Sequence, residues 1–295
     1  MWKVSRSDGQ SKIKTTKELI KNKKYKFIPV LTSPVLFANS QTLPIDPYVL
    51  GLLLGDGSFF SNVRFTTADK CLLDELLKLA PSHWSLGAVQ CNNRTPTYGI
   101  NKAITDLREL GLADHRSETK FVPEQYLCST PEQRLAIVQG LLDTDGWVQK
   151  GVAKFSSTSR QLVHAMRDLV GSLGGVSHVC ERKKKRTANE LTEYIVTIRL
   201  PQNMKPFRLQ RKLNKVNFSP KRRLVKTITK IETVGKDQMQ CIKVTAEDSL
   251  YVTNNYTLTH NTTGWGWDLK KKTDKNKILQ LVFYNTSGQR NLGLI

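Results

Sequence analysis

Two stretches of this chain say nearly the same thing, eighty-nine residues apart. Val49-Leu50-Gly51-Leu52-Leu53-Leu54-Gly55-Asp56-Gly57 is echoed by Val138-Gln139-Gly140-Leu141-Leu142-Asp143-Thr144-Asp145-Gly146. Each is a helix-like run with small residues at i and i+4, Gly51/Gly55 and Gly140/Thr144, closed by Asp-Gly. Small residues at that spacing leave a groove into which another helix backbone can press, a device best known from membranes. Each run is far shorter than the roughly 20 apolar residues that span a bilayer, so a helix pair inside a soluble core is expected. Gly57 and Gly146 are expected to end the helices in the left-handed conformation. Packing the helices together brings Asp56 and Asp145 to one place at their C-terminal ends. That placement is unfavourable, because like charges repel and a carboxylate there opposes the helix dipole. A hard divalent cation shared between the carboxylates offsets the cost and also serves phosphodiester chemistry. A single apolar run ending in Asp-Gly is ordinarily just a buried helix and its cap; two copies at half-domain spacing ask for more.

The charge balance says what kind of partner to expect. Across 295 residues the net charge is +21 and the pI near 9.8, which points to a polyanion. The charge concentrates in Arg182, Lys183, Lys184, Lys185 and Arg186, and again between Lys205 and Lys230, where Phe207 and Phe218 are interspersed. Both runs adjoin strand-like segments, so DNA contact is favoured over a solvated surface or a localisation signal. The five cysteines (Cys71, Cys91, Cys128, Cys180, Cys241) form no CxxC pair and the five histidines are scattered, which argues against a zinc site or a disulfide framework. No secretory signal opens the chain. The expected setting is reducing and intracellular, away from membranes.

The echoed phrases resemble the paired motif of LAGLIDADG (dodecapeptide, DOD-type) homing endonucleases. The resemblance implies an α+β fold of two tandem pseudo-symmetric αββαββα units, about 44–128 and 129–223, whose sheets form a saddle against double-stranded DNA. It implies a monomeric nuclease, with Asp56 and Asp145 as catalytic residues binding Mg²⁺ or Mn²⁺. Thr119-Lys120-Phe121-Val122-Pro123 is similar to the Lys-x-[Ile/Val]-Pro block that such enzymes carry between their motifs when housed in inteins. That assigns Lys120 to activating the attacking water, and Lys221, in Ser219-Pro220-Lys221-Arg222, is the candidate for its pseudo-symmetric partner. Leu54 departs from the family, which more often has a second acid there. The expected elements after Asp56 are a strand (59–67), a helix (68–80), strands near 84–91 and 97–100, and a helix (101–111). After Asp145 they are a strand (147–157), a helix (158–173) with Leu162, Met166, Leu169 and Val170 on one face, strands 175–181 and 191–200, and a helix near 204–213.

From Lys226 onward the texture changes to short β segments ending in Leu258-Thr259-His260-Asn261-Thr262. This resembles the C-terminal splicing (Hint) segment of an intein. An Asn side-chain amide can attack its own carbonyl carbon and break the chain after itself. A neighbouring His supplies acid help, and a following hydroxyl residue is the nucleophile that accepts the upstream segment. The resemblance implies those roles for Asn261, His260 and Thr262. The N-terminal nucleophile and Thr-x-x-His block of an intein are not found before Asp56, and Ser249 stands where a histidine is often found. Residues 1–43 are therefore expected to be a connector, 44–223 the nuclease, 224–261 the splicing segment and 262–295 host sequence. Splicing is expected only in trans, with a separate N-terminal intein fragment as partner. Thr262-Thr263 and the strand-like stretch from Lys277 resemble the segment just after the phosphate-loop lysine in UvrD-like helicases. The alternative readings are a non-cleaving, maturase-like nucleic-acid-binding protein and a decayed intein fragment.

Overall fold

The computed structural model describes residues 1–37, 42–91, 95–186, 189–218, 224–232, 244 and 248–260; for 184–186, 189–191, 281–284 and 290–293 it describes only the backbone course. The chain divides into two compact units: residues 33–222, and residues 1–32 together with 223–295.

The larger unit is mixed α/β and is built twice over. Each repeat begins with a motif helix whose start is set by local chemistry. Asp46 caps the first helix (Pro47–Asp56), accepting from the Tyr48 and Val49 amides, and Pro47 occupies the first helical position, where no amide is needed. Thr130 and Gln133 form a reciprocal capping box at the start of the second (Pro131–Asp145), again followed by proline. The two helices touch through their backbones. A Cβ on Gly51 would lie 2.7 Å from the Ile137 carbonyl oxygen, and one on Gly140 only 2.4 Å from that of Tyr48. Gly55 faces the Thr144 side chain in the same way. The small-residue spacing thus makes the groove anticipated from the sequence, and Leu50, Leu53, Val138, Leu141 and Leu142 fill the core on either side.

Each motif helix leads into a four-stranded antiparallel sheet. In the first repeat the spatial order is Gly57–Ser58, Val63–Thr66, Pro96–Asn101, Ser85–Cys91; in the second it is Gly146–Gln149, Val152–Ser157, Asn189–Arg199, Val176–Arg186. Helices Lys70–Leu79 and Arg160–Ser172 connect the halves of each sheet, and Ala103–Glu109 and Gln210–Leu213 follow them. Alternation along the strands puts Val63, Phe65, Ala153, Phe155, Val196 and Ile198 in the core and leaves the opposite, polar face free. On the 160–172 helix Leu162, Met166, Leu169 and Val170 are all buried, as the period implies.

Two local expectations need correction. Gly57 and Gly146 are not left-handed: their φ,ψ of −86°, 155° and −96°, 154° are extended, and each begins a strand. Glycine is required there for room, because a Cβ would lie 2.3 Å from the Leu53 carbonyl oxygen or 2.4 Å from that of Leu142. The expected strand through 147–157 is a hairpin. Lys150 and Gly151 both have positive φ, 50° and 75°, and this two-residue turn folds Gly146–Gln149 against Val152–Ser157.

The smaller unit contains a four-stranded antiparallel sheet, ordered Val225–Thr227, Phe27–Pro29, Trp2–Ser5, Ser11–Lys14. Pro29 pairs with Val225 and Phe27 with Thr227, so strands almost two hundred residues apart in sequence are direct neighbours. Thr15 and Glu18 form a capping box on the short helix Thr16–Lys21, and Val4, Leu19, Tyr25 and Ile28 make a small core. Leu250–Thr253 and Thr257–His260 form a hairpin, and the backbone of Leu281–Tyr284 pairs with Arg290–Gly293. Residues 1–32, read from the sequence as a connector with a turn of helix at Thr15 to Leu19, therefore supply three strands as well as that helix. The division falls after Thr32 and Arg222 rather than after residues 43 and 223. The strands are only three or four residues long and lysine-rich, which hides their alternation. Among the described residues no helix is long and apolar enough to cross a membrane.

Candidate active site

Asp56 and Asp145 are the last residues of the two motif helices, each carried to its place by the helix packing described above. Helix ends leave carbonyl oxygens without partners, and in each repeat one lysine collects them. The Lys120 ammonium, buried at 3% exposure, lies 3.3 Å from the Leu53 carbonyl oxygen, 2.9 Å from Leu54, 3.3 Å from Gly55 and 2.7 Å from Gly57. The Lys212 ammonium lies 2.9 Å from that of Leu142, 2.7 Å from Asp143, 3.2 Å from Thr144 and 2.6 Å from Gly146. The two sets of carbonyls are eighty-nine-residue equivalents of one another. Each ammonium also lies near an aromatic ring, Phe59 at 4.7 Å and Phe207 at 5.8 Å from the ring centre.

The pairing with the carboxylates is crossed. One cleft, of about 250 Å³, brings Lys120 of the first repeat together with Asp145 of the second, along with Ser117, Ser156, Ser157 and Thr158. The other, of about 380 Å³, joins Lys212 with Asp56 and is lined also by Asp69, Lys70 and Arg211. The electrostatics agree with this crossing. Burial and the charge of Asp56 raise Asp145 to about 6, opposed first by Lys120. Burial raises Asp56 as well, opposed first by Lys212. Burial draws Lys120 down to about 8, against the pull of Asp145 and then Asp56, and Lys212 is lowered for the same reason. Two buried carboxylates that both hold on to protons, Asp145 in part because of the charge of Asp56, are a donor pair short of positive charge. Their hard oxygens suit Mg²⁺ or Mn²⁺, and Mg²⁺ commonly takes one or two carboxylates with water and phosphate completing its shell. Among the described residues no third His, Cys, Asp or Glu joins them.

The other sequence candidates lie elsewhere. Arg182 and Lys183 are exposed on the long strand Val176–Arg186, and the backbone of Lys184, Lys185 and Arg186 continues it, paired out to Arg186↔Asn189. His260 ends the hairpin of the smaller unit; its amide donates to the Met1 carbonyl at 2.9 Å, and its carbonyl accepts from the Met1 amine at 3.3 Å. Lys221, Asn261 and Thr262 lie outside the described residues. Sequence reasoning missed Lys212. The signal was distance: Lys120 follows Asp56 by 64 residues and Lys212 follows Asp145 by 67, whereas Lys221 follows by 76. The Lys-x-Val-Pro pattern around Lys120 has no copy around Lys212, and the Ser-Pro-Lys sequence drew attention past it.

Residues 132–210 match the family model described as the LAGLIDADG-like domain. The chain carries a LAGLIDADG-like domain. The match takes in Asp145 and both long strands of the second repeat, and ends two residues before Lys212. Over 270 residues the chain is 28% identical to a replicative DNA helicase DnaB of Mycobacterium intracellulare; the alignment covers 86% of this chain and 42% of that protein, so the chain spans less than half the length of this curated relative. Among solved structures, it is similar to mesophilic variants of the homing endonuclease I-DmoI, at 14% identity, covering 58% of this chain and 86% of that one, with a TM-score of 0.37. It is likewise similar to I-DmoI in complex with DNA and Mn, at 15% identity, covering 53% and 89%, with a TM-score of 0.37.

Proposed function

We propose that the LAGLIDADG-like unit is a metal-dependent, site-specific endonuclease that cuts both strands of double-stranded DNA. The observation that carries this reading is the duplicated and crossed Asp–Lys pair, Asp145 with Lys120 and Asp56 with Lys212. Two quasi-equivalent reaction centres side by side are what breaking two antiparallel strands requires. Asp56 and Asp145 would hold Mg²⁺ or Mn²⁺, which when bound polarises a phosphoryl oxygen and makes water a stronger acid. The chain's own groups do the remaining work. Lys120 and Lys212, each fixed by four carbonyls, present positive charge where negative charge grows on the phosphate. Their lowered proton affinity also suits them to exchange a proton with the attacking water or the leaving oxygen. The two sheets, one bearing Arg182 and Lys183, supply phosphate contacts that fix register, and alternate side chains on their polar faces can read base edges.

The test is cleavage of DNA spanning the uninterrupted host insertion site. Cutting is expected only with Mg²⁺ or Mn²⁺, and Asp56→Asn or Asp145→Asn should abolish double-strand breaks while leaving DNA binding measurable. A single variant that still cuts both strands at the wild-type rate would refute the shared-metal assignment. Binding without cleavage by the unaltered chain would favour a maturase-like binder.

For the smaller unit we propose the C-terminal half-reaction of an intein. Asn261 cyclises to a succinimide, with its side-chain nitrogen attacking its own carbonyl carbon and the Thr262 amine leaving. His260, held at both backbone groups, donates the proton that amine takes up, and the proton lost by the Asn261 side-chain nitrogen replaces it. The local residue types support this reading. Mass spectrometry should find a released fragment beginning at Thr262, and Asn261→Ala should eliminate it; release that persists in that variant would rule out cyclisation.

A further inference from the structure

The repeats obey the eighty-nine-residue shift closely around the two lysines, and depart from it at one pair of positions. Asp143, 1% exposed, accepts a 2.8 Å hydrogen bond from the Tyr48 hydroxyl across the helix pair. The shift maps Asp143 onto Leu54 and Tyr48 onto Ile137, both buried and both apolar. A polar pair on one side of the near-symmetric core is thus matched by an apolar pair on the other. Apolar packing at such a place is commonly as stable as a buried charge, or more so, so stability alone does not account for the carboxylate.

The remaining partners of Asp143 show what it does. Its carboxylate accepts from the backbone amides of Arg208, at 3.0 Å, and Leu209, at 3.2 Å. These amides precede the short helix Gln210–Leu213 that carries Lys212. The same segment is tied down beside it: the Arg208 guanidinium stacks 3.9 Å above the Tyr48 ring centre and donates to Gln139 at 3.0 Å. Lys120 is held by other means. Its carbonyl accepts a 2.5 Å hydrogen bond from Ser159, the residue that caps the 160–172 helix. We propose that Asp143 is a positioning residue for Lys212 alone, so that the two reaction centres are built differently and one strand's cleavage depends on Asp143. Charge-assisted bonds to two consecutive amides fix the direction of the segment more firmly than apolar contact does.

The strand-specific consequence rests on the endonuclease reading; the positioning itself does not, and the experiment separates them. Asp143→Leu copies the first repeat, Asp143→Asn keeps an oxygen that can accept from both amides, and Tyr48→Phe removes a single bond. In the intact chain, acetylation by acetic anhydride, quantified lysine by lysine, reads local opening. Asp143→Leu should speed labelling of Lys212 about tenfold and leave Lys120 unchanged, with Asp143→Asn and Tyr48→Phe in between. Strand-resolved cleavage should then show nicked DNA accumulating. The slow strand should be the one slowed by Lys212→Met, with its rate down about tenfold, equivalent to roughly 1.4 kcal/mol. Labelling of both lysines that stays at the wild-type rate or rises together, or an equal slowing of both strands, overturns the proposal. If labelling singles out Lys212 but no variant, nor the unaltered chain, cuts DNA, the positioning role stands and the endonuclease reading fails.

Discussion

An ammonium buried as deeply as that of Lys120 is costly unless its hydrogens are satisfied. Here the same contacts that satisfy it also neutralise a helix end and place positive charge opposite a carboxylate from the other repeat. The carboxylates carry the residual strain, and that makes pH a probe of the site. Asp145 sits at about 6 in the folded protein against 3.8 for the free side chain. A carboxyl raised in this way contributes stability below the unfolded value, and loses it as pH climbs through about 6. In chelator-containing buffer, the unaltered chain should therefore lose stability relative to Asp145→Asn between about pH 4 and 7, as measured by thermal or denaturant unfolding. Added Mg²⁺ should narrow that gap most above about pH 6, where the carboxylate is ionised and free to bind. A gap that stays constant across the range would mean that Asp145 is not the strained group. Asp56 and Asp145 were legible in the sequence because their signal is local, an apolar run ending in Asp-Gly. Lys212 was not, because the Lys-x-Val-Pro pattern that marks Lys120 has no copy around it, and its carbonyl partners leave no mark in the side-chain pattern.

The helix pair depends on what is missing from Gly51 and Gly140. Substituting alanine at either position improves intrinsic helix propensity by about 1 kcal/mol. It also drives a methyl group into a backbone carbonyl of the facing helix, which cannot rotate away as a side chain would. Overpacking of this kind costs typically 1–3 kcal/mol, occasionally more, and the steric term should win. Gly140→Ala should lower the stability of the protein by about 2 kcal/mol despite the better propensity, and should slow cleavage further by spreading Asp56 from Asp145. An unfolding curve that shifts upward would show that the helices can separate without penalty. The pairing itself could be read from the i, i+4 spacing. The conformation of the terminal glycines could not, since Asp-Gly closes a helix equally well in a left-handed cap or by passing straight into a strand. What decides between them is the strand partner each glycine takes, Phe65 for Gly57 and Phe155 for Gly146, and that pairing appears only in three dimensions. The same holds for Lys150-Gly151, a two-residue turn that an apolar run on both sides disguised as one strand.

At the scale of the whole molecule, the +21 charge makes ionic strength the natural variable. DNA affinity should fall linearly on a log–log plot against salt, each neutralised phosphate contributing a slope of about −0.9. Replacing Arg182, Lys183, Lys184, Lys185 and Arg186 with serine should make the slope shallower by the number of those residues that meet phosphates. An unchanged slope, measured by fluorescence anisotropy, would return that strand end to solvent. The charge was plain in the sequence, and so was the duplication that organises residues 33–222. The membership of residues 1–32 was not, because the strand that ties them to the rest of their unit, Phe27–Pro29, finds its partner at Val225–Thr227, and no local pattern records a neighbour so far along the chain.

That pairing has a consequence of its own. Pro29 and Val225 are opposite one another on adjacent antiparallel strands, with the chain leaving the sheet at one and re-entering at the other. To that sheet, everything from residue 30 to residue 224 is the connection of a β-hairpin, differing from a two-residue turn only in bulk. Closing a longer connection costs little, about 0.6 kcal/mol for each doubling of a flexible one. On that scale a flexible connection of this length would cost the sheet about 4 kcal/mol more than a two-residue turn; a folded insert costs it less, because its own packing already holds its ends. A host of this geometry can gain or shed an entire folded unit at one place without rewriting a single strand.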